Sequence, residues 1–284
     1  TDVGLRVRDD REVLAENPDL MVNTPSRKDG IDEDTETALR IYGCEMIQEA
    51  GILLRMHQTA MATGQILFHR FFFRCSFKRC DARVVAKAAL LLASKVEEQP
   101  RPFHDILSVF HAAGLQRKGT RPEPLERDST RYLHLKQELI DAESSILREL
   151  GFMVHAEHAH KYVLYYVNTL FGKEHFDADL AQKAWSYVND SYRTVHCVRF
   201  EAPTLACAAI YLAAREMGVA LPESPPWWRL FDAKLEDMVL ICSSLLSLYS
   251  RPKAKYINVR GGAPTPGPGA AEKSLETANG GQDA

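Results

Sequence analysis

The sequence predicts an all-α protein made of two copies of one helical module, and three observations carry that prediction. No stretch alternates apolar and polar residues over six positions between turn signals, the pattern a half-buried strand needs. Most of the chain between residues 36 and 249 instead spaces its apolar residues at helical intervals. The third observation is an internal repeat: Ala86–Lys95 can be laid over Ala206–Arg215. Ala86/Ala206, Ala88/Ala208, Ala89/Ala209, Leu92/Leu212 and Ala93/Ala213 are identical, and Lys95/Arg215 keep their charge. Both segments are apolar nearly all round and rich in alanine, as expected of a helix enclosed by others that approach closely.

The elements follow in order. Residues 1–35 are charged, hold Pro18 and Pro25, show little apolar periodicity and form an N-terminal segment expected to be flexible. A helix is predicted over 36–50, behind Asp32, Glu33, Asp34 and Glu36, acids that suit the positive end of a helix dipole. Helices over 58–75, 81–97, 102–113 and 131–150 complete a first module, residues 36–154. A second module, 155–250, takes helices over 159–171, 177–193, 203–217, 226–231 and 234–249, the fourth opened by Pro225-Pro226. Residues 251–284 are expected to be a disordered Gly/Pro/Ala-rich tail, since from Gly261 onward the only large apolar residue is Leu275.

Composition narrows the function classes. Of 284 residues, 45% are hydrophobic and 26% charged, ordinary for a globular protein. The longest apolar run, Leu205–Ala214, is well short of the ~18 residues of a membrane span. A net charge of −3 argues against a surface devoted to nucleic-acid phosphates. No Walker, dinucleotide, H-E-x-x-H or G-x-S-x-G motif is present, which favours a binding module over an enzyme, with no cofactor or metal expected. The chain begins at Thr1 and is expected to be a piece of a longer protein.

Some residues stand out against this background. Glu143 lies inside the apolar stripe Leu139, Ile146, Leu147, Leu150, and a buried carboxylate needs a partner. Lys95 is a suitable one. The charge pattern by itself favours an internal salt bridge closing the first module over a pair offered to another protein. His155, His158 and His160 lack the further ligands of a zinc site and suit a polar linker. Cys75 and Cys80, with four residues between them, have no second pair, while Cys44, Cys207 and Cys242 sit among apolar residues. Phe68, Phe71, Phe72 and Cys75 share a helical face and suit core packing better than base stacking. Trp227 and Trp228 are anchors of a core or of an interface, and Arg117–Arg131 is expected to be a solvated loop.

Two five-helix modules, the first with a central helix ending Ala93-Ser94-Lys95-Val96-Glu97-Glu98, resemble tandem cyclin boxes. Further stretches are similar to the L-type cyclins of the transcription and splicing group. They are Thr24-Pro25-Ser26, Asp29-Gly30, Gly51–Arg55, Met61–Gln65, Asn189-Asp190-Ser191, Val198-Arg199-Phe200 and Pro225-Pro226-Trp227. The resemblance spans about residues 24–251. It implies a non-catalytic nuclear subunit that holds the C-helix of a cyclin-dependent kinase in its active position, with splicing or transcription factors as further partners.

The same resemblance implies that Lys95 and Glu143 meet the kinase backbone, with Val96, Glu97, Glu98, Leu147 and Phe152 beside them. Where cell-cycle cyclins carry a docking patch, this chain reads Leu39-Arg40-Ile41-Tyr42-Gly43 with Met46 further on, so docking of Arg-x-Leu peptides is not expected. L-type cyclins also have an Arg/Ser-rich tail that residues 251–284 do not contain. The alternatives are another transcription-type cyclin, a promoter-binding factor of the same duplicated fold, and a metal enzyme built on the three histidines.

Overall fold

A computed structural model describes residues 19–260, apart from positions 118, 122, 173 and 175. Its helices are α1 (Glu33–Leu53), α2 (Gln58–Phe72), α3 (Ala82–Val96), α4 (Phe103–Arg117) and α5 (Thr130–Glu149) in the first module. The second holds α6 (His160–Phe171), α7 (Ala178–Ser191), a one-turn helix (His196–Arg199), α8 (Ala202–Met217), a 3-10 turn (Trp227–Phe231) and α9 (Leu235–Ser250). Among the described residues there is no strand, only an isolated bridge between Glu223 and Pro226. Side-chain caps start several of the helices: Asp32, Asp81, Ser129 and Asp177 each accept a backbone N–H of the first turn.

The repeated alanine helices are α3 and α8, and each is the centre of its module. Ala86, Ala88, Ala89 and Ala93 are buried against α1, α2, α4 and α5. Ala206, Ala208, Ala209 and Ala213 are buried against α6, α7 and α9. Side chains this small let helix axes come close, and the same holds at Gly43 of α1. A Cβ there would lie 2.1 Å from Cζ of Phe68. The phenylalanines are core: Phe72 and Phe77 stack at 3.6 Å, with Phe68 edge-on to Phe72 at 4.9 Å. Trp227 is buried in the second core, whereas Leu230 in the same turn is exposed.

Three expectations need correction. The segment before residue 36 is not all flexible: α1 begins at Glu33, short helical turns cover Asp19–Val22 and Pro25–Lys28, and Thr24, Ser26 and Ile31 are buried. Residues 251–260 are not a loose tail, since Ala254, Tyr256, Ile257 and Val259 pack back on the first module's core. Tyr256 donates its hydroxyl to Asp81 at 3.0 Å, and the Arg83 guanidinium lies 3.9 Å over its ring. The rest of the expected tail, 261–284, lies outside the described residues. Arg117, taken for a loop residue, ends α4 and is clamped by Glu49 at 2.7 Å. Cys75 lies beyond the end of α2 yet packs, as expected, on the core that holds the phenylalanines.

Buried polar groups join the modules. Arg40 of α1 pairs with Glu36, donates to the carbonyls of His69 and Phe72, and lies beside the His69 ring. His69 Nε2 sits 3.1 Å from the carbonyl oxygen of Tyr192 in the second module. Burial and the nearby Arg40 cation push His69 down to about 3, so the ring is neutral. On the linker, Arg70 donates to the carbonyl of His155 at 3.0 Å, and the N–H of Ala159 donates to the Tyr192 hydroxyl at 3.0 Å.

Candidate protein-binding face

Local backbone chemistry places the residues of this face. Helix α3 ends in a Schellman motif: Gln99 N–H returns to the Ser94 carbonyl at 2.7 Å and Glu98 N–H to that of Lys95 at 3.3 Å. The reversal sets Glu98 in the left-handed region, φ 54°. Helix α5 ends the same way, with Phe152 N–H on the Leu147 carbonyl at 2.9 Å and Gly151 at φ 57°. So does α1, where Met56 N–H reaches the Gly51 carbonyl at 2.9 Å and Arg55 takes φ 51°. The α1 and α3 ends touch: Gln99 accepts from His57 N–H at 3.0 Å and Arg101 donates to the Arg55 carbonyl at 3.2 Å.

On this side Lys95 Nζ reaches both oxygens of Glu143, at 2.6 and 2.8 Å. The lysine side chain is 46% exposed and the glutamate 12%, so the pair is formed within the chain yet open to an approaching partner. The internal bridge that the charge pattern favours is present. Val96 and Leu147 are partly buried beside the pair, whereas Phe152 is 69% exposed. In a Schellman motif a hydrophobic residue at the Phe152 position commonly folds back on its helix. Here the ring stands in solvent.

Glu98 is exposed, but Glu97 turns inward. Its carboxylate accepts from the Thr63 hydroxyl at 2.7 Å, and His158 Nε2 lies 3.4 Å from it and 3.1 Å from Thr63 Oγ1. Glu97 and His158 therefore tie α2 to the linker between modules. Sequence reasoning missed Ile52 and Leu53, which are more than half exposed at the α1 end of the same side. Two adjacent apolar residues at a helix terminus were the available signal.

The histidine run has a structural use. His160 Nε2 meets Asn189 at 2.7 Å, its ring stacks on Tyr192 at 5.6 Å, and burial pushes it down to about 4. His158 is lowered too, by burial, against the opposing pull of Glu97. His155 is exposed. Among the described residues no group of three or more His, Cys, Asp or Glu side chains could hold a metal ion. The α1 stretch expected to lack a docking patch is buried from Leu39 through Gly43, and Met46 is buried as well. Tyr42 and Met46 line a cavity of about 800 Å³, together with Lys255 and Tyr256, whose ring lies 5.7 Å from that of Tyr42.

The structure thus holds two helical modules, the first with a lysine–carboxylate pair at the end of its central helix. The family described as cyclin, N-terminal domain, matches residues 13–155. This chain belongs to the cyclin family, and its sequence is of the L type. It is 48% identical over 237 residues to Cyclin-L1-1 of Oryza sativa subsp. japonica, an alignment covering 84% of this chain and 54% of that relative. Cyclin-L1 of Homo sapiens is 48% identical over 233 residues, covering 82% of this chain and 44% of the relative. The chain thus spans about half the length of the curated relatives it matches.

Two solved structures share the fold. One is the yeast RNA Pol II CTD kinase CTDK-1 complex, with TM-score 0.67, 15% identity and coverage of 94% of this chain and 83% of that chain. The other is the yeast TFIIK (Kin28/Ccl1/Tfb3) complex, with TM-score 0.54, 15% identity and coverage of 81% and 93%. The family match decides between a cyclin and a promoter-binding factor of the same fold.

Proposed function

We propose that this chain is the regulatory subunit of a cyclin-dependent protein kinase acting in the nucleus, in RNA polymerase II transcription and pre-mRNA splicing. The side formed by the ends of α3 and α5 holds the kinase C-helix inward, which keeps that helix's glutamate paired with the phosphate-binding lysine. The observation that carries this reading is the Lys95–Glu143 pair, its lysine half-exposed, together with the exposed Phe152. Lys95, Glu98 and Glu143 supply polar contacts that set register, and Val96, Leu147 and Phe152 supply apolar area. Glu97 serves indirectly, by fixing the turn that positions Glu98. Further support is that one solved structure sharing the fold is the yeast RNA Pol II CTD kinase CTDK-1 complex. The transcription and splicing role rests on the relatives' L type.

Glu143→Arg tests the site. It sets a second cation beside Lys95 in place of a carboxylate whose side chain is 12% exposed, and circular dichroism checks that the variant keeps its fold. The expected outcome, in a pull-down from nuclear extract read by mass spectrometry, is one kinase retained by the wild type and lost by the variant. Titration with that kinase should show at least a tenfold loss, about 1.4 kcal/mol. Equal retention by both proteins refutes the site, and no kinase with either refutes the function.

A further inference from the structure

Cys75 and Cys80 lie at the two ends of the turn joining α2 to α3, with their sulfur atoms 3.1 Å apart. The turn's own backbone brings them together. Cys75 N–H donates to the Phe71 carbonyl at 2.8 Å, and the N–H groups of Arg79 and Cys80 donate to the Ser76 carbonyl at 3.0 and 3.1 Å. Between them Phe77 is buried, stacked on Phe72, and its N–H donates to the Ser26 hydroxyl at 3.1 Å. The thiols are therefore held near each other by anchored chain. Both are partly exposed, whereas Cys44, Cys197, Cys207 and Cys242 are buried. We propose that Cys75 and Cys80 form an oxidisable dithiol, which a hydroperoxide converts into an intrachain disulfide across the α2–α3 turn.

The surroundings give the two sulfurs different parts. Cys80 is pushed down to about 7, chiefly by the hydrogen bond from Cys75, with the Arg260 and Arg79 cations adding to it. Cys75 is pushed up, by that same hydrogen bond and by burial. Burial instead pushes Cys207 and Cys242 up to about 12. Cys80 is thus the nucleophile and Cys75 the resolving thiol, the arrangement of a redox-sensitive pair.

In the first step the Cys80 thiolate attacks the outer oxygen of the hydroperoxide. An S–O bond forms, the O–O bond breaks, and the departing oxygen takes up a proton to leave as an alcohol, or as water from hydrogen peroxide. Cys80 is then a sulfenic acid. It no longer draws on the Cys75 proton, so the resolving thiol is released from the hydrogen bond that raised it. Its sulfur attacks the Cys80 sulfur, the S–S bond forms, the S–O bond breaks, and hydroxide leaves with the Cys75 proton as water. Two thiols lose two electrons and one peroxide gains them. In a reducing compartment such a bond is transient and is reversed by thiol exchange.

The test treats the full chain with a small excess of hydrogen peroxide near neutral pH, alkylates the remaining thiols, and maps peptides by mass spectrometry. The expected product links Cys75 to Cys80 within one chain, lighter by two hydrogen atoms than the reduced form and restored by dithiothreitol. The other cysteines stay alkylated. Cys75→Ser should leave a sulfenic acid at Cys80 that dimedone traps, and Cys80→Ser should slow oxidation of Cys75 at least tenfold. Earlier oxidation at Cys44, Cys197, Cys207 or Cys242 overturns the proposal, as does a disulfide between two chains or equal rates in the two variants. Circular dichroism checks that the serine variants fold; should either fail, the wild-type peptide map decides alone.

Discussion

Removal of the Glu36 carboxylate should destabilise the first module by several kcal/mol. Glu36 and Arg40 are paired at 2.8 Å with only 3% and 4% of their side chains exposed. The Thr24 hydroxyl donates to the second carboxylate oxygen at 2.6 Å. Glu36→Ala leaves the guanidinium buried with the carbonyls of His69 and Phe72 and the face of Phe73, 4.4 Å away, and leaves Thr24 without its acceptor. Losing one partner of a buried ion pair costs about 3–5 kcal/mol, and the retained carbonyls place this case near 3. With a urea slope of about 3 kcal/mol per molar for a chain this long, the midpoint should fall by about 1 M.

The assay is equilibrium urea unfolding followed by two probes. Trp185, Trp227 and Trp228 all lie in the second module, so tryptophan fluorescence reports that half, while circular dichroism reports both. Because His69 contacts the Tyr192 carbonyl, both traces should move. A shift below about 0.3 M, near 1 kcal/mol, would refute the reasoning. The double replacement Glu36→Leu with Arg40→Met should be milder than Glu36→Ala alone, since it removes both charges together.

Three further outcomes are expected. Tyr256→Ala removes a hydrogen bond to a carboxylate and a cation–π contact, and should cost about 2 kcal/mol in denaturant unfolding; no loss would mean the 251–260 segment adds nothing to stability. Gly43→Ala should destabilise by about 1–3 kcal/mol through its collision with Phe68, although helix propensity alone forecasts a gain of about 1, so the sign of the melting shift decides. His69 is pushed down to about 3, and His160 and His196 to about 4, all chiefly by burial, against about 6.5 when unfolded. The unfolded chain therefore binds more protons between pH 4 and 6.5, and stability should rise with pH across that window and level off above it. Equal urea midpoints at pH 5 and 7.5 would contradict this.

What could be read from the sequence followed from periodicity. The helices, the alanine repeat and the Glu143–Lys95 pairing each leave a local pattern: an apolar stripe, a small-residue run, a carboxylate where a stripe should be apolar. Glu36 and Arg40 leave none, because an i,i+4 ion pair looks the same on a solvated face. Only the carbonyls of His69 and Phe72, supplied by another helix, show that it is buried. The return of residues 251–260 was hidden for a similar reason: an extended strap has no helical period, and its anchors Asp81 and Arg83 lie far away in sequence. The helix ends at Arg55 and Glu98 were silent because neither carries the glycine that marks a left-handed cap, whereas Gly151 does.

Those three helix ends have an electrostatic consequence. The pairs Lys87–Glu138 and Lys95–Glu143 show that α3 and α5 run parallel, and the contacts between residues 55–57 and 99–101 bring the end of α1 to the same side. A helix carries roughly half a negative charge at its C-terminus, so three macrodipoles deliver their negative poles together. Lys95 lies among them as counter-charge. A partner helix that approaches with its amino end first, or with a basic side chain leading, meets a field already aligned to receive it.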